Sequence, residues 1–210
     1  AGAGESFRLM QPSYGVEPGF QVRKRSLIQP ELRYRVDVFE KVAHEIGSDS
    51  APENYLSDQY RIEEHWLPAR DGAEVPVTLV YKEGASLASR PLYLTAYGAY
   101  GVSLPVVFDP TRLPLLNRDF ILGIVHVRGG GDLGDGWHSS GRHMSKKNTF
   151  NDLVDVANKL VEFGIGHPEM LSARGTSAGG TVIGVVANEA PTLFKVLVAD
   201  VPFVDVITTL

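Results

Sequence analysis

The 210-residue sequence contains no cysteine. This absence excludes disulfide frameworks, thiolate nucleophiles and zinc sites built on Cys ligands, and it suits a reducing compartment. No apolar run approaches the roughly 18 residues needed to span a bilayer. The N-terminal stretch also lacks the charged-then-apolar pattern of a signal peptide. The sequence therefore predicts a cytoplasmic protein with no membrane partner.

The sequence has no excess of positive charge: its net charge is −5 and its pI is near 5.7. Such a balance gives no electrostatic reason to expect nucleic acid or an anionic membrane as a partner. Hydrophobic residues make up 43% and charged residues 21%, which is ordinary for a soluble globular protein. Nothing in the composition implies a metal or another cofactor.

The chain divides into two segments that differ in composition and in the pattern of predicted elements. Residues 1–58 are rich in turn-forming residues, with short strands predicted at Phe20–Arg25 and Tyr34–Phe39. Residues 47–58 are rich in Ser, Asp, Pro and Asn, which is typical of a linker. The sequence therefore predicts one unit over 1–58 and a second over 59–210.

The second segment begins with a hairpin signal and continues with alternating strands and helices. Asp71-Gly72 separates two strand-like runs, which predicts a β-hairpin. Apolar residues at helical spacing from Phe150 to Val161, followed by Gly164, predict a helix that ends at this glycine. This order predicts an α/β fold whose mostly parallel sheet is covered on both faces. The predicted strands are 61–68, 74–81, 91–96, 120–127, 170–174 and 194–199, and a second helix is predicted over 178–188.

One motif carries a candidate nucleophile. Gly175-Thr-Ser177-Ala-Gly179-Gly180 contains the sole G-x-S-x-G of the chain, between a predicted strand and a predicted small-residue helix. A serine on such a turn has a strained backbone, and the small residues on both sides let the chain fold back without a clash. The hydroxyl then lies at a helix N-terminus, with the N–H of Ala178 directed at a developing oxyanion. The alternative is a structural turn with an idle serine.

The expected partners of this serine are missing from the sequence. In α/β-hydrolases the acid and then the histidine follow the nucleophile. All six histidines precede Ser177. We interpret His126 as a satisfied histidine of a buried strand, and His138 and His143 as surface residues of a polar loop. The sequence therefore predicts a truncated chain that ends inside the apolar run 201–210 and carries an incomplete triad.

A glycine motif offers an alternative of another class. Gly129-Gly-Gly131-Asp-Leu-Gly134 follows a predicted strand and matches the dinucleotide-binding pattern G-x-G-x-x-G. We predict a loop after Gly134, whereas a pyrophosphate site needs a helix that begins there. The pattern therefore favours a glycine turn that shapes the floor of an active site.

Several long motifs then occur in a characteristic order. They are Tyr97-Gly-Ala-Tyr-Gly101, Val125-His-Val-Arg-Gly-Gly-Gly-Asp-Leu-Gly134, Lys146-Lys-Asn-Thr-Phe-Asn-Asp152, Ser177-Ala-Gly-Gly180 and Val201-Pro-Phe-Val-Asp-Val206. Together, from about Arg61 to Leu210, they resemble the catalytic domain of the prolyl oligopeptidase family of serine peptidases, and within it the oligopeptidase B group. The resemblance implies an α/β-hydrolase fold, and it implies that residues 1–58 end a β-propeller.

The resemblance also implies roles for single residues. Ser177 matches the nucleophile, and Tyr97 matches a tyrosine whose hydroxyl completes the oxyanion hole with Ala178. The substrates would be short peptides cut after Arg or Lys. The acid, the histidine and the glutamate that receives the basic side chain would lie beyond Leu210. Pro105 and Val107 stand where some members carry acidic residues, so a preference for paired basic residues is not predicted.

Two other functions remain open at this point. A non-catalytic member of the same fold would bind a protein partner, and an esterase of the same fold would use the same serine. We also expect the 210 residues alone to be inactive, because a serine without its base retains only weak catalysis. Without further strands, the sheet is expected to expose an apolar edge.

Overall fold

The computed structural model describes residues 4–10, 19–84 and 86–205. In these residues it contains ten strands and four α-helices. The strands are β1 (Glu5–Met10), β2 (Phe20–Ser26), β3 (Leu32–Asp37), β4 (Val42–Ser48), β5 (Tyr60–Pro68), β6 (Glu74–Lys82), β7 (Leu92–Thr95), β8 (Ile121–Val125), β9 (Leu171–Thr176) and β10 (Val196–Asp200). The helices are α1 (Leu113–Leu116), α2 (Asp135–Ser139), α3 (Lys147–Glu162) and α4 (Ala178–Glu189).

The first four strands form an antiparallel sheet in the order β1-β2-β3-β4. The predictions of β2 and β3 are confirmed, whereas β1 was not predicted and β4 overlaps the start of the predicted linker. Nearly every residue of β4 is exposed, so this strand has no buried apolar face that would mark it in the sequence. Its pairing with β3, which contains a bulge at Arg33 and Tyr34, holds it in place.

The second sheet has six strands in the order β10-β9-β7-β8-β6-β5. Strands β7 to β10 run parallel to one another, and the β5–β6 hairpin adds to β8 in the antiparallel sense. The predicted hairpin and the mostly parallel sheet are both confirmed. The carboxyl ends of the four parallel strands meet at one edge, where α/β folds place their sites.

The main core lies between one face of this sheet and two helices. Helices α3 and α4 pack on that same face, and the apolar positions that predicted α3 are buried, among them Leu153 and Leu160. Gly164 has φ +74°, as expected for a residue just past the helix C-terminus. In the described residues the opposite face is covered by α1 and by the turn at Leu27 and Ile28. Helices were expected on both faces of the sheet. One face carries α3 and α4, whereas in the described part of the chain the other carries only one α-helix, α1, which is a single turn.

Strand β10 leaves one edge of the sheet open. In the described residues it pairs with β9 alone, and Val196 and Val198 are 56% and 40% exposed. An unpaired strand edge with apolar side chains is a template for association with another strand. The residues from 206 onward, which end the apolar run noted in the sequence, lie outside the described part. No helix of the described residues has the length and apolar character required to cross a bilayer.

Candidate active site

Ser177 occupies a single-residue turn between β9 and α4. Strand β9 ends at Thr176 and α4 begins at Ala178, while Ser177 itself has φ 55° and ψ −118°. A non-glycine residue with positive φ is held there by its surroundings at a cost of about 1–3 kcal/mol. The residue is exposed, and its hydroxyl makes no capping hydrogen bond to α4. The strand, turn and helix predicted around this serine are confirmed, and the hydroxyl is available for chemistry.

The three glycines of the motif are required by backbone contacts. A Cβ added to Gly175 would lie 2.0 Å from the carbonyl oxygen of Gly179. A Cβ on Gly179 would lie 2.7 Å from the carbonyl oxygen of Ala96, and one on Gly180 would lie 2.5 Å from Cβ of Pro202. Since real Cβ atoms do not approach this closely, no larger residue fits any of these positions without movement.

Three backbone hydrogen bonds fix the conformation of Ser177. Its N–H donates to the carbonyl oxygen of Asp200 at 2.9 Å. Its carbonyl oxygen accepts from the N–H of Gly180 at 2.8 Å and from that of Phe203 at 3.0 Å. The strained turn is therefore held by the first turn of α4 and by the chain that leaves β10.

The two predicted oxyanion donors lie beside this turn. Ala178 is the first residue of α4 and is buried, so its N–H belongs to the unpaired donors of a twelve-residue helix. Tyr97 follows the carboxyl end of β7 and is half-buried. A Cβ on Gly179 would lie 3.3 Å from Cα of Tyr97. The turn formed by residues 97–101, here called the Tyr97 turn, therefore packs on the first turn of α4. The fold thus brings Tyr97, Ser177 and Ala178 to one edge of the sheet.

The Tyr97 turn has a second support, which sequence reasoning missed. Gly98 has φ +65°, and a Cβ there would lie 2.3 Å from Cγ2 of Thr149. The ammonium of Lys146 donates to the carbonyl oxygen of Gly98. Both partners belong to the Lys146–Asp152 motif at the start of α3, and the position of this motif beside Tyr97 was not visible in the sequence.

The glycine run 129–134 packs against the same turn. A Cβ on Gly129 would lie 2.3 Å from the carbonyl oxygen of Gly98, and one on Gly131 would lie 2.1 Å from that of Gly101. The loop predicted after Gly134 is wrong, because α2 begins at Asp135. This helix has only five residues. The glycines are explained by close contact between two loops, which supports the interpretation as an active-site floor.

A buried ion-pair network lies next to this floor. Arg128 donates to Asp152 through Nη2 to Oδ1 at 2.6 Å and to Asp71 through Nη1 to Oδ2 at 2.5 Å. Burial raises the pKa of the Asp152 carboxyl, and the hydrogen bonds from Arg128 oppose that rise. The hydrogen bonds from Arg128 also lower the pKa of Asp71. The network ties the tip of the β5–β6 hairpin to α3 and to the end of β8.

The nearby histidines are engaged elsewhere. His126 lies just past β8, with Nε2 2.8 Å from Oγ1 of Thr78 and Nδ1 2.9 Å from Oδ1 of Asp132, so its interpretation as a satisfied residue is confirmed. His138 is half-buried, with Nδ1 2.9 Å from the carbonyl oxygen of Gly129, and is not the free surface residue expected. The expectation was wrong because Gly101 packs on the imidazole. Neither histidine bonds to Ser177.

A mixed sheet with a serine on a strained strand-to-helix turn is the arrangement of the α/β-hydrolases. The family model "Prolyl oligopeptidase family" matches residues 106–210. The chain belongs to the prolyl oligopeptidase family of serine peptidases, as the motifs predicted.

Individual relatives agree with this assignment. The chain is 40% identical over 192 residues to "Protease 2" of Moraxella lacunata, which covers 90% of this chain and 28% of the relative. It is 38% identical over 187 residues to "Dipeptidyl aminopeptidase BI" of Pseudoxanthomonas mexicana, covering 88% of this chain and 26% of that protein. The chain thus spans less than a third of the length of these relatives.

Solved structures show the same fold. Oligopeptidase B from Trypanosoma brucei, solved with covalently bound antipain in a closed form, matches with a TM-score of 0.90 and 34% identity. Oligopeptidase B from Leishmania major matches with a TM-score of 0.89 and 33% identity. Each match covers 98% of this chain and 29% of the solved chain.

Proposed function

We propose that this chain supplies the nucleophile and the oxyanion hole of a serine peptidase that hydrolyses short peptides after Arg or Lys. The observation that carries the proposal is the geometry of Ser177, an exposed serine with φ 55° at the N-terminus of α4 in a chain of this family. A hydroxyl in this position attacks a peptide carbonyl and forms an acyl-enzyme, which water then hydrolyses.

The oxyanion is stabilised by two donors. The N–H of Ala178 is in the first turn of α4, so no helical carbonyl precedes it to accept its hydrogen bond. The hydroxyl of Tyr97 comes from the turn packed on Gly179. A single donor of this kind contributes about 10²–10³ in kcat. The positive end of the α4 dipole also favours the developing charge.

The base and the acid of the triad are proposed to come from residues outside these 210. No histidine follows Ser177 in the sequence, and His126 and His138 have other partners. In the order typical of the fold, an Asp and then a His follow the nucleophile. These 210 residues alone are therefore expected to cleave no peptide at a measurable rate.

Cleavage after a basic residue rests on the likeness to oligopeptidases B, of which the Trypanosoma brucei enzyme has been solved with antipain bound. The net charge of −5 is compatible with a basic substrate. Pro105 and Val107 offer no carboxylate for a second basic side chain.

We further propose that residues 1–58 end a β-propeller and that residues 59–210 begin the peptidase domain. The four-stranded antiparallel sheet β1–β4 supports this, since a propeller blade is a sheet of four strands. A propeller in front of the site would admit only short peptides. We also propose a cytoplasmic location, with which the absence of cysteine agrees.

The test uses the product of the complete reading frame, as wild type, Ser177→Ala and Ser139→Ala. Ser139 is an exposed serine of α2 and serves as the matched control. Each protein is assayed with an Arg peptide amide and with a short-chain ester. We expect amide hydrolysis by wild type and Ser139→Ala, and its loss in Ser177→Ala.

Other outcomes assign the alternatives. Turnover of the ester alone would indicate an esterase of the same fold, and turnover of neither substrate would indicate a binding module. A complete reading frame with no Asp and His after Ser177 would contradict the peptidase mechanism.

A further inference from the structure

Lys146 holds an unusual position for a lysine. Its ammonium donates to the carbonyl oxygen of Gly98 and lies 5.8 Å from the centroid of the Phe150 ring. Among the ion pairs of the described residues, none includes Lys146, although other lysines there pair with Glu. Burial lowers the pKa of this ammonium. A partly buried cation without a carboxylate partner is costly, so its bond to the Gly98 carbonyl is the main polar interaction that offsets this cost.

The carbonyl that Lys146 binds belongs to Gly98, the residue that follows Tyr97. Gly98 has φ +65°, a backbone conformation that residues other than glycine rarely adopt. A bond from a charged donor is roughly twice as strong as one between neutral groups. The ammonium therefore fixes the orientation of the peptide plane between Gly98 and Ala99, and this plane limits the conformations open to the chain at Tyr97.

Thr149 completes the contact from the same helix. Its methyl group fills the space beside Gly98, and its hydroxyl proton is shared between the carbonyl oxygens of Arg128 and Gly141, at 2.7 and 3.1 Å. On its other side, the Tyr97 turn packs on Gly179 of α4. The turn is thus enclosed between α3 and α4, and Lys146 supplies its charged anchor.

We propose that Lys146 is a positioning residue, which fixes the Gly98 carbonyl and thereby aims the hydroxyl of Tyr97 at the oxyanion formed on attack by Ser177. This inference rests on the proposed function, because the oxyanion exists only if Ser177 attacks a carbonyl. Lys146 thus lies outside the oxyanion hole and acts on it through Tyr97. Because Lys146 would act through a donor to the oxyanion, which forms only after attack, its effect should fall on the transition state and not on substrate binding.

The experiment compares Lys146→Met, Lys146→Arg and Lys147→Met in the product of the complete reading frame. Lys147 is an exposed neighbour at the start of α3 and serves as the matched control. Methionine keeps the aliphatic stem and removes the donor. We expect kcat of Lys146→Met to fall about tenfold with KM changed less than twofold, since part of the 10²–10³ of one oxyanion donor is lost. Lys146→Arg should recover most of the loss.

A double-mutant cycle with Tyr97→Phe tests the route of the effect. Once the hydroxyl is removed, adding Lys146→Met should lower kcat less than twofold. A full tenfold fall in the Tyr97→Phe background would overturn the inference, as would a Lys146→Met enzyme with the kcat of Lys147→Met.

Two measurements separate this inference from stability and from the proposed function. Titration of active sites gives kcat per folded enzyme, and a Lys146→Met protein that melts lower at unchanged kcat would assign Lys146 to stability and overturn the inference. A wild-type protein without Ser177-dependent turnover would overturn the proposed function and this inference with it. Turnover that depends on Ser177 but not on Lys146 would overturn the inference alone.

Discussion

Replacing Arg128 by Met removes the cation from the network beside the active-site floor and leaves its buried partner behind. The Asp152 side chain is 0% exposed, and it would keep only the backbone N–H of residue 128 as a donor at 2.8 Å. Asp71 would also lose its partner, but its side chain is 42% exposed and water would solvate it. The perturbation therefore isolates one uncompensated buried carboxylate.

The expected cost is large. Removing one member of a buried pair costs about 3–5 kcal/mol, because the other charge stays in a medium of low polarity. The neighbouring pair Arg70–Asp155 joins the same hairpin to the same helix, with Nη2 to Oδ1 at 2.7 Å and side chains that are 54% and 13% exposed. Because one member is solvated and the other is not fully buried, this pair is expected to contribute about 1 kcal/mol, less than the buried pair. Arg70→Met is therefore the matched control for Arg128→Met.

Hydrogen exchange measured by mass spectrometry is the appropriate assay, because it reports local opening in a protein of any size. At about 1.4 kcal/mol per tenfold, the amides of β5, β6 and α3 should exchange about 10²–10⁴ faster in Arg128→Met. In Arg70→Met they should exchange less than about tenfold faster. The effect of Arg128→Met should shrink in acid, because burial raises the pKa of Asp152 and protonation removes the unpaired charge.

A second variant extends the test. Arg128→Met combined with Asp152→Leu removes both buried charges and should recover most of the lost protection, though the N–H of residue 128 then lacks its acceptor. Equal effects of Arg128→Met and Arg70→Met on exchange would refute the reasoning, since burial would then not decide the cost.

Three further predictions follow from contacts already described. Gly175→Ala should abolish amide hydrolysis, because its Cβ would lie 2.0 Å from a carbonyl oxygen, whereas Gly136→Ala, with nothing within 4 Å, should retain wild-type kcat. Val198→Lys on the open edge should raise the monomer fraction of the 210 residues made alone, measured by size-exclusion chromatography; an unchanged fraction would rule out this edge as the contact. Arg128 lowers the pKa of Asp71, so the stability of that pair is present above the ordinary pKa of Asp and is lost as pH falls through the lowered value. Asp71→Asn should therefore flatten the acid decline of the melting temperature, and an unchanged slope would contradict this.

The features that the sequence predicted are those with a local physical cause. Helix α3 was predicted because Leu153 and Leu160 repeat at the helical period, and both are buried against the sheet. The turn at Ser177 was predicted because only small residues fit around a strand that turns back into a helix, and the contacts of Gly175 show why.

The features that the sequence did not predict depend on distant partners. Arg128 meets Asp71 across 57 positions of sequence and Asp152 across 24, and no periodicity links such residues. The sequence predicts no separate role for Lys146, since its contact with Gly98 spans 48 positions. Strand β4 was not predicted, and its last two residues fell in the predicted linker, because pairing with β3, and not burial, keeps it extended.

The hydrogen bonds around Ser177 also have a consequence for biosynthesis. Its positive φ is maintained by Asp200 and Phe203, which the ribosome adds more than twenty residues later. Until that stretch emerges and β10 pairs with β9, these two hydrogen bonds cannot form, and they cannot stabilise the positive φ of the serine. The conformation of the proposed nucleophile is therefore completed only after Phe203 has been added to the chain.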